Sequence, residues 1–285
     1  VAPDNLDFSA LHGIAEREGY LYMLAGANLY GYDLSTGITG TVRLVGQLPV
    51  LQPLPQPDPA TLRPGDLPPN DPQLPSLLAT YNFTMPIKGA LLPDRSAIYP
   101  GSRRVYRYGV HQGLDFYNKD VGVEVEVGTP VYAAGDGIIL RADVDYQEMS
   151  LAEVNALLAD ADVLHVTPPE TLEKLGGRQI WIDHGQGVIT KYSHLSGIAE
   201  GITVRQRVHA GQPIGYIGVS GTPDGIAGNT QFTHLHFEIR TGNDHQYYLG
   251  QWLTIEETRR AFERIFNVPV RPAYLDFREN GEGTP

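Results

Sequence analysis

Cysteine is absent from all 285 residues, which excludes a disulfide framework and every thiolate metal site. Any metal held by this chain must therefore be bound by histidine and carboxylate, a donor set that suits an oxidising compartment. No apolar run approaches the ~20 residues that a membrane-spanning helix needs. Basic residues are scarce: 21 Lys and Arg stand against 33 Asp and Glu, for a formal net charge of -12. That balance disfavours nucleic acid and anionic membrane surfaces, because both reward clustered cations. Val1 opens the chain with no basic-then-apolar leader, so any export signal is expected to have been removed or to lie upstream.

What is abundant points to a globular β protein. Apolar residues make up 41% of the chain, with 32 Gly and 22 Pro, a composition that favours turns and short strands over long helices. The length suits one or two domains with a sizeable core. Residues 1–47 read as a small N-terminal β segment, in which Tyr20–Leu24 and Leu29–Tyr32 form a hairpin around a turn at Gly26-Ala27-Asn28. It looks like a fragment of one propeller blade, but nothing like it recurs, so a propeller is excluded. Residues 48–80 read as a semi-rigid linker, since Pro53, Pro55, Pro57, Pro59, Pro64, Pro68, Pro69 and Pro72 cannot donate to a sheet ladder. Residues 81–285 form the remaining domain.

In that domain Pro130–Leu140 reads as strand, turn, strand, and Gln179–Tyr192 as a second such unit turning at Gly185 and Gly187. Pro213–Gly218 and Leu235–Arg240 are further short strands. An insertion at 143–177 carries two helices. In the first, Ser150 and Glu153 form a capping box ahead of Val154, Leu157, Leu158 and Ala161 at helical spacing. In the second, Thr167 and Glu170 form another box, Pro169 stands early and Gly176 closes the helix. A C-terminal helix starts at Thr254–Glu257 and puts Phe262, Ile265 and Phe266 on one face. The predicted fold is mainly β, an antiparallel sheet with a two-helix insertion and a C-terminal helix.

Nine histidines are present, and three local patterns stand out: His111 with Asp115, His194 after Ser193, and His234 with His236. Residues two or four apart on a strand share a face, so His111 can converge with Asp115, and His234 with His236. Each pair alone also fits strand-end histidines bonded to solvent or backbone. Together they offer what a catalytic zinc site needs, three N/O ligands and an open position. The His-Glu-x-x-His helix of other zinc proteases is missing.

These segments resemble the lysostaphin/LytM-type zinc metallopeptidases, which are peptidoglycan endopeptidases. The resemblance runs from about Phe83 to Arg240. It rests on His-x-Gly-x-Asp-Phe at 111–116, Gly-Thr-Pro-Val-Tyr-Ala-Ala-Gly-Asp-Gly at 128–137, Ile-Asp-His-Gly at 182–185, Tyr-Ser-His-Leu at 192–195 and His-Leu-His-Phe-Glu at 234–238. It implies a LytM-like peptidase domain over 81–285, Zn²⁺ bound by His111, Asp115 and His236, and His194 and His234 as catalytic histidines. The implied substrate is peptidoglycan peptide and the implied place of work is the cell envelope.

Three departures bear on specificity rather than chemistry: the long stretch Asn118–Val127, the insertion at 143–177, and the long loop Thr222–Thr233 with Thr233 where proline often stands. A non-catalytic wall-binding or hydrolase-activating member of the same fold is the alternative reading. A biotinyl- or lipoyl-like carrier, suggested by 128–137 and Val208–Gln212, lacks the hairpin-tip lysine that carriers need. His184 is expected to be structural, and His12, His165, His209 and His245 to have no catalytic role.

Overall fold

The computed structural model describes residues 62–271 except Asn243, and before them the strand residues 11–17, 20–25, 28–33 and 43–47. The chain divides into two compact units, residues 1–61 and residues 62–285. In the first, β1 (Leu11–Arg17), β2 (Tyr20–Ala25), β3 (Asn28–Asp33) and β4 (Arg43–Gln47) form an antiparallel meander in that order. β2 and β3 pair from Tyr20↔Asp33 to Ala25↔Asn28, a hairpin whose turn residues Gly26 and Ala27 lie outside the described residues, as do residues 48–61 of the proline-rich stretch.

The second unit begins inside the proline-rich stretch, so residues 62–80 are not a free linker. Helix α1 (Leu74–Ala79) starts with proline in its first turn, where the missing N–H costs nothing. Its Leu74 and Leu78 are fully buried. The short strands β5 (Arg103–Arg104) and β6 (Gly109–Val110) pair with each other, and β7 (Leu114–Tyr117) follows. The expected hairpin over 130–140 does not form. β8 (Pro130–Tyr132) and β9 (Gly137–Ala142) enter different sheets, because β8 pairs with β14 whereas β9 pairs with β10 and β13.

The insertion supplies α2 (Leu151–Leu164) and α3 (Pro169–Leu175). Ser150 and Glu153 form the expected reciprocal cap of α2. Thr167 does not cap α3, whose N-cap is Pro168; its hydroxyl instead binds the Arg107 carbonyl. The remaining elements are β10 (Ile180–Gly185), β11 (Val188–Ser193), β12 (Leu195–Ile198), β13 (Arg207–Val208), β14 (Pro213–Ile217), α4 (Pro223–Ala227), β15 (His234–Thr241), β16 (Tyr247–Tyr248) and α5 (Ile255–Phe266).

The main sheet has the order β13-β9-β10-β11-β15-β16, with β7 also on β15, and β12-β14-β8 forms a second sheet. One face of the main sheet closes the core: Ile180, Ile182, Tyr192, Leu235, Phe237 and Ile239 are buried there. Phe237 meets Phe116, Tyr192 and Phe266 at ring-centroid distances of 6.4, 5.3 and 5.9 Å. Helix α5 carries the expected Thr254–Glu257 capping box and buries Phe262, Ile265 and Phe266. Strand periodicity then forces the alternate residues His234, His236 and Glu238 of β15, with Lys191 of β11, onto the opposite face. The fold is mainly β and antiparallel, as the sequence predicts.

Candidate metal centre

A groove of about 1060 Å³ lies on that opposite face. His111, Asp115, His194, His234 and His236 all line it, joined by Tyr117, Trp181, Lys191 and Glu238. Register places them. β15 runs antiparallel to β7, which sets Asp115 across from His236 and Tyr117 across from His234. On its other side β15 pairs with β11, which sets Ser193 across from His236.

His111, Asp115 and His236 converge, each offering one ligand atom within 4.8 Å of the others. His111 Nε2 is 3.0 Å from Asp115 Oδ1, His236 Nδ1 is 2.8 Å from the same oxygen, and the two ring nitrogens are 3.0 Å apart. Gly113 makes this approach possible. A Cβ at that position would stand 2.6 Å from both His236 Nε2 and the Phe237 carbonyl, too close for any side chain.

The outward nitrogen of each ring fixes its tautomer, because carbonyls and carboxylates only accept. His111 Nδ1–H donates to the Tyr99 carbonyl at 3.2 Å, and His236 Nε2–H donates to Glu238 Oε1 at 3.0 Å. His194 Nδ1–H donates to the Ser220 carbonyl and His234 Nδ1–H to the Phe232 carbonyl, both at 2.8 Å. When neutral, all four rings therefore turn a lone pair inward. His234 Nε2 reaches within 3.8 Å of Asp115 Oδ1, and the His194 ring lies 4.7 Å from that of His234 and 5.7 Å from that of His236. Tyr117 stacks on His234 at 4.3 Å.

His194 is held by strained backbone. Its φ is +62°, a left-handed conformation that costs a non-glycine residue roughly 1 kcal/mol. Its N–H is fixed by the carbonyl of Gly176, at the end of the insertion, at 2.9 Å.

A cluster of inward acceptors without a donor needs a cation or a shared proton. The donor chemistry fits a divalent metal: two nitrogens and one carboxylate oxygen, with spacings near the roughly 3.3 Å separating ligands of one tetrahedral zinc. Burial lowers the pKa of His111, against the pull of Asp115, and likewise lowers His234. Burial followed by His234 and His236 holds His194 well below the usual value. Burial opposes charging of His236 too, but the hydrogen bonds with Asp115 and Glu238 outweigh it and push its pKa up to about 9. Burial alone would raise Asp115, yet His111 and His234 hold its carboxyl well below the usual range.

Sequence reasoning gave no role to Glu238, although it lies two residues beyond His236 and so shares its face. Its two oxygens are both engaged, Oε1 by His236 and Oε2 by Arg240 Nη1 at 2.7 Å. His184 sits away from the cluster: its Nδ1–H donates to the Asp136 carbonyl and its Nε2 accepts from the Thr190 hydroxyl. His165 stacks on Tyr108 at 5.0 Å. His245, expected to be inert, lines the groove and accepts from Arg240 Nε through its carbonyl.

Fold and cluster together define a β protein with a candidate metal centre open to a groove. Residues 109–248, just under half of the chain, match Peptidase family M23. The chain is 28% identical over 146 residues to the peptidoglycan DD-endopeptidase ShyA of Vibrio cholerae serotype O1, covering 51% of this chain and 23% of that protein. Against the peptidoglycan DD-endopeptidase ShyC of the same organism it is 26% identical over 136 residues, covering 48% and 21%. It thus spans less than a quarter of the length of either relative. Among solved structures, the catalytic domain of lysostaphin from Staphylococcus simulans is 23% identical, with 49% of this chain and 74% of that one covered and a TM-score of 0.30. The catalytic domain of the prophage-encoded M23 protein EnpA from Enterococcus faecalis is 19% identical, with 58% and 92% covered and a TM-score of 0.36.

Proposed function

We propose that this chain is a zinc-dependent endopeptidase that hydrolyses peptide cross-links of peptidoglycan in the bacterial cell envelope. The observation that carries this reading is the set of inward-facing acceptors from buried His111 and Asp115 and half-buried His236, which line a groove in the segment that matches Peptidase family M23. The named activity of the two Vibrio relatives supports peptidoglycan as the substrate.

In this reading His111 Nε2, Asp115 Oδ1 and His236 Nδ1 hold the metal. Zinc bound there supplies Lewis acidity toward the scissile carbonyl and lowers the pKa of water to about 7. His194 and His234 present free Nε2 atoms beside the ligands, placed to accept the proton of the attacking water and return it to the leaving amine. Their depressed pKa values keep both neutral at pH 7, the state a proton acceptor requires. Tyr117 and the Phe232 carbonyl hold His234, while Ser220 and Gly176 hold His194. Glu238 fixes the His236 tautomer, as carboxylates behind metal-bound histidines do.

The test is digestion of purified peptidoglycan, with mass spectrometry of the released muropeptides. Loss of cross-linked dimers is expected, abolished by chelation and by His111→Ala and restored to the wild type by zinc. Undiminished dimers with a zinc-loaded, folded protein would rule the activity out.

A further inference from the structure

The groove extends from the histidine cluster across the main sheet. On β11 Lys191 stands across from Glu238 of β15 on one side and from Trp181 of β10 on the other. Its ammonium lies 3.7 Å from the centroid of the Trp181 ring. Trp181 is itself fixed, because its Nε1–H donates to Gln179 Oε1 at 2.9 Å while Gln179 Nε2 donates to the Glu173 carbonyl. A cation on a rigid indole face is held in place without being neutralised.

The neighbouring carboxylates are committed elsewhere. Glu238 is taken by His236 and Arg240, and Glu173 Oε1 by Arg141 Nη1 at 2.7 Å. Among the described residues no carboxylate forms an ion pair with Lys191. The insertion brings Leu172, Glu173 and Leu175 to the groove lining; of these only Glu173 is charged, and it acts on Lys191 from beyond ion-pair distance while bound to Arg141. Water is partly stripped from the ammonium: burial pulls its pKa down to about 8, against the opposing pull of Glu238. Lys191 is thus a half-desolvated cation facing a substrate groove with its anion position open.

We infer that Lys191 is a specificity-determining residue that binds a free carboxylate of the peptide substrate, about two to three residues from the bond that is cut. The distance follows from register. Lys191 pairs with the residue two beyond His236 on β15, about 7 Å along the strand and one strand spacing to the side, or about 8 Å in all, which is the reach of about two to three residues of extended peptide. The inference rests on the endopeptidase reading.

The test compares one cross-linked muropeptide carrying free carboxylates with the same molecule after conversion of those carboxylates to carboxamides. Zinc-loaded wild type is expected to favour the carboxylate form by about tenfold in kcat/KM, the worth of one charge-assisted hydrogen bond. In Lys191→Met the ratio should fall to within about twofold of unity, and Lys191→Arg should retain most of it. Wild type without a preference, or Lys191→Met that keeps one at normal zinc content, overturns the inference while leaving the peptidase intact. Should wild type cleave neither form, the endopeptidase reading is what fails. Equilibrium binding of the two peptides, followed by tryptophan fluorescence, then decides: selective binding lost in Lys191→Met supports the carboxylate site, and equal affinities overturn it.

Discussion

Metal uptake by this chain should be coupled to the loss of a proton from one histidine. In the metal-free protein His236 has a pKa near 9, because Asp115 and Glu238 both hold its charged form against burial. At pH 7 that ring is an imidazolium, and its Nδ1 has no lone pair to give. His111, His194 and His234 are shifted the other way and are neutral at pH 7, while Asp115 is ionised. Removing the His236 proton at pH 7 costs two pH units at about 1.36 kcal/mol each, or about 2.7 kcal/mol. Apparent zinc affinity should therefore rise by nearly tenfold per pH unit from pH 7 and level off through pH 9. Calorimetric titration in two buffers of different ionisation enthalpy counts the protons released. Replacing Glu238 by Gln removes one anionic partner and lowers that pKa, so at pH 9, where wild type still releases about half a proton, the variant should release clearly fewer. Equal counts in the two proteins at that pH, or an affinity flat between pH 7 and 9, would refute the assignment of this charge to His236. The same shift acts on stability. A folded pKa raised above 6.5 stabilises the metal-free fold at low pH, fully below about 6.5, and that contribution is lost as pH rises through about 9. Chemical unfolding of the chelated protein at pH 7 and 9.5 measures it.

Other residues give sharper yes-or-no outcomes. His194→Ala and His234→Ala should keep zinc near stoichiometric and lose turnover by 10²–10⁴-fold, the usual worth of acid–base help; elemental analysis showing that His234→Ala loses zinc while His236→Ala retains it would reverse the two roles. Gly113→Ala should fold yet lose metal, because its Cβ overlaps the His236 ring and the Phe237 carbonyl, and zinc bound as in wild type would show that the loop relaxes freely. Replacing residues 144–174 by a short glycine-containing turn removes the wall formed by Leu158 and Leu172 while sparing the Gly176 carbonyl that holds His194. A zinc-loaded variant with an unchanged cleavage pattern on several wall types would leave that insertion only a covering role.

The elements legible in the sequence were those whose signals are local. Two reciprocal caps, Ser150 with Glu153 and Thr254 with Glu257, marked helix starts that the fold retains, since both partners lie within one turn. The glycines at 185 and 187 marked the β10–β11 hairpin. Thr167 carried the same local signal and the fold overrode it, because the Arg107 backbone competes for its hydroxyl across 60 residues of chain. The 130–140 segment failed for a related reason. Its strand–turn–strand pattern says nothing about partners, and β8 finds β14 while β9 finds β10, both far along the sequence. Proline density also misled at 62–80, where Leu74 and Leu78 bury their side chains in the core and proline merely opens a helix.

The site divides along the same line. Spacing brought His234 to His236 because a strand repeats its face every two residues, whereas His111 lies in the connection between β6 and β7 and meets Asp115 from outside any strand. What spacing could not supply is which nitrogen each ring turns inward, and the chemistry depends on that. The answer lies in four acceptors: the Tyr99 and Ser220 carbonyls from farther along the chain, and the Phe232 carbonyl and Glu238 carboxylate, each two residues from the histidine it binds. Three are backbone groups that no motif encodes, since any residue has a carbonyl. The fourth is a side chain, and the pattern that found His236 reaches it in one further step along β15. Strand β15 thus carries the argument of the whole groove. It places His234 beside the cluster, His236 in it, Glu238 behind it, and Arg240 on the far oxygen of Glu238 at 2.7 Å. Each is two residues from the last, so one extended strand sets proton acceptor, ligand, anchor and counter-ion in a single row, and its neighbour β11 adds Lys191 alongside.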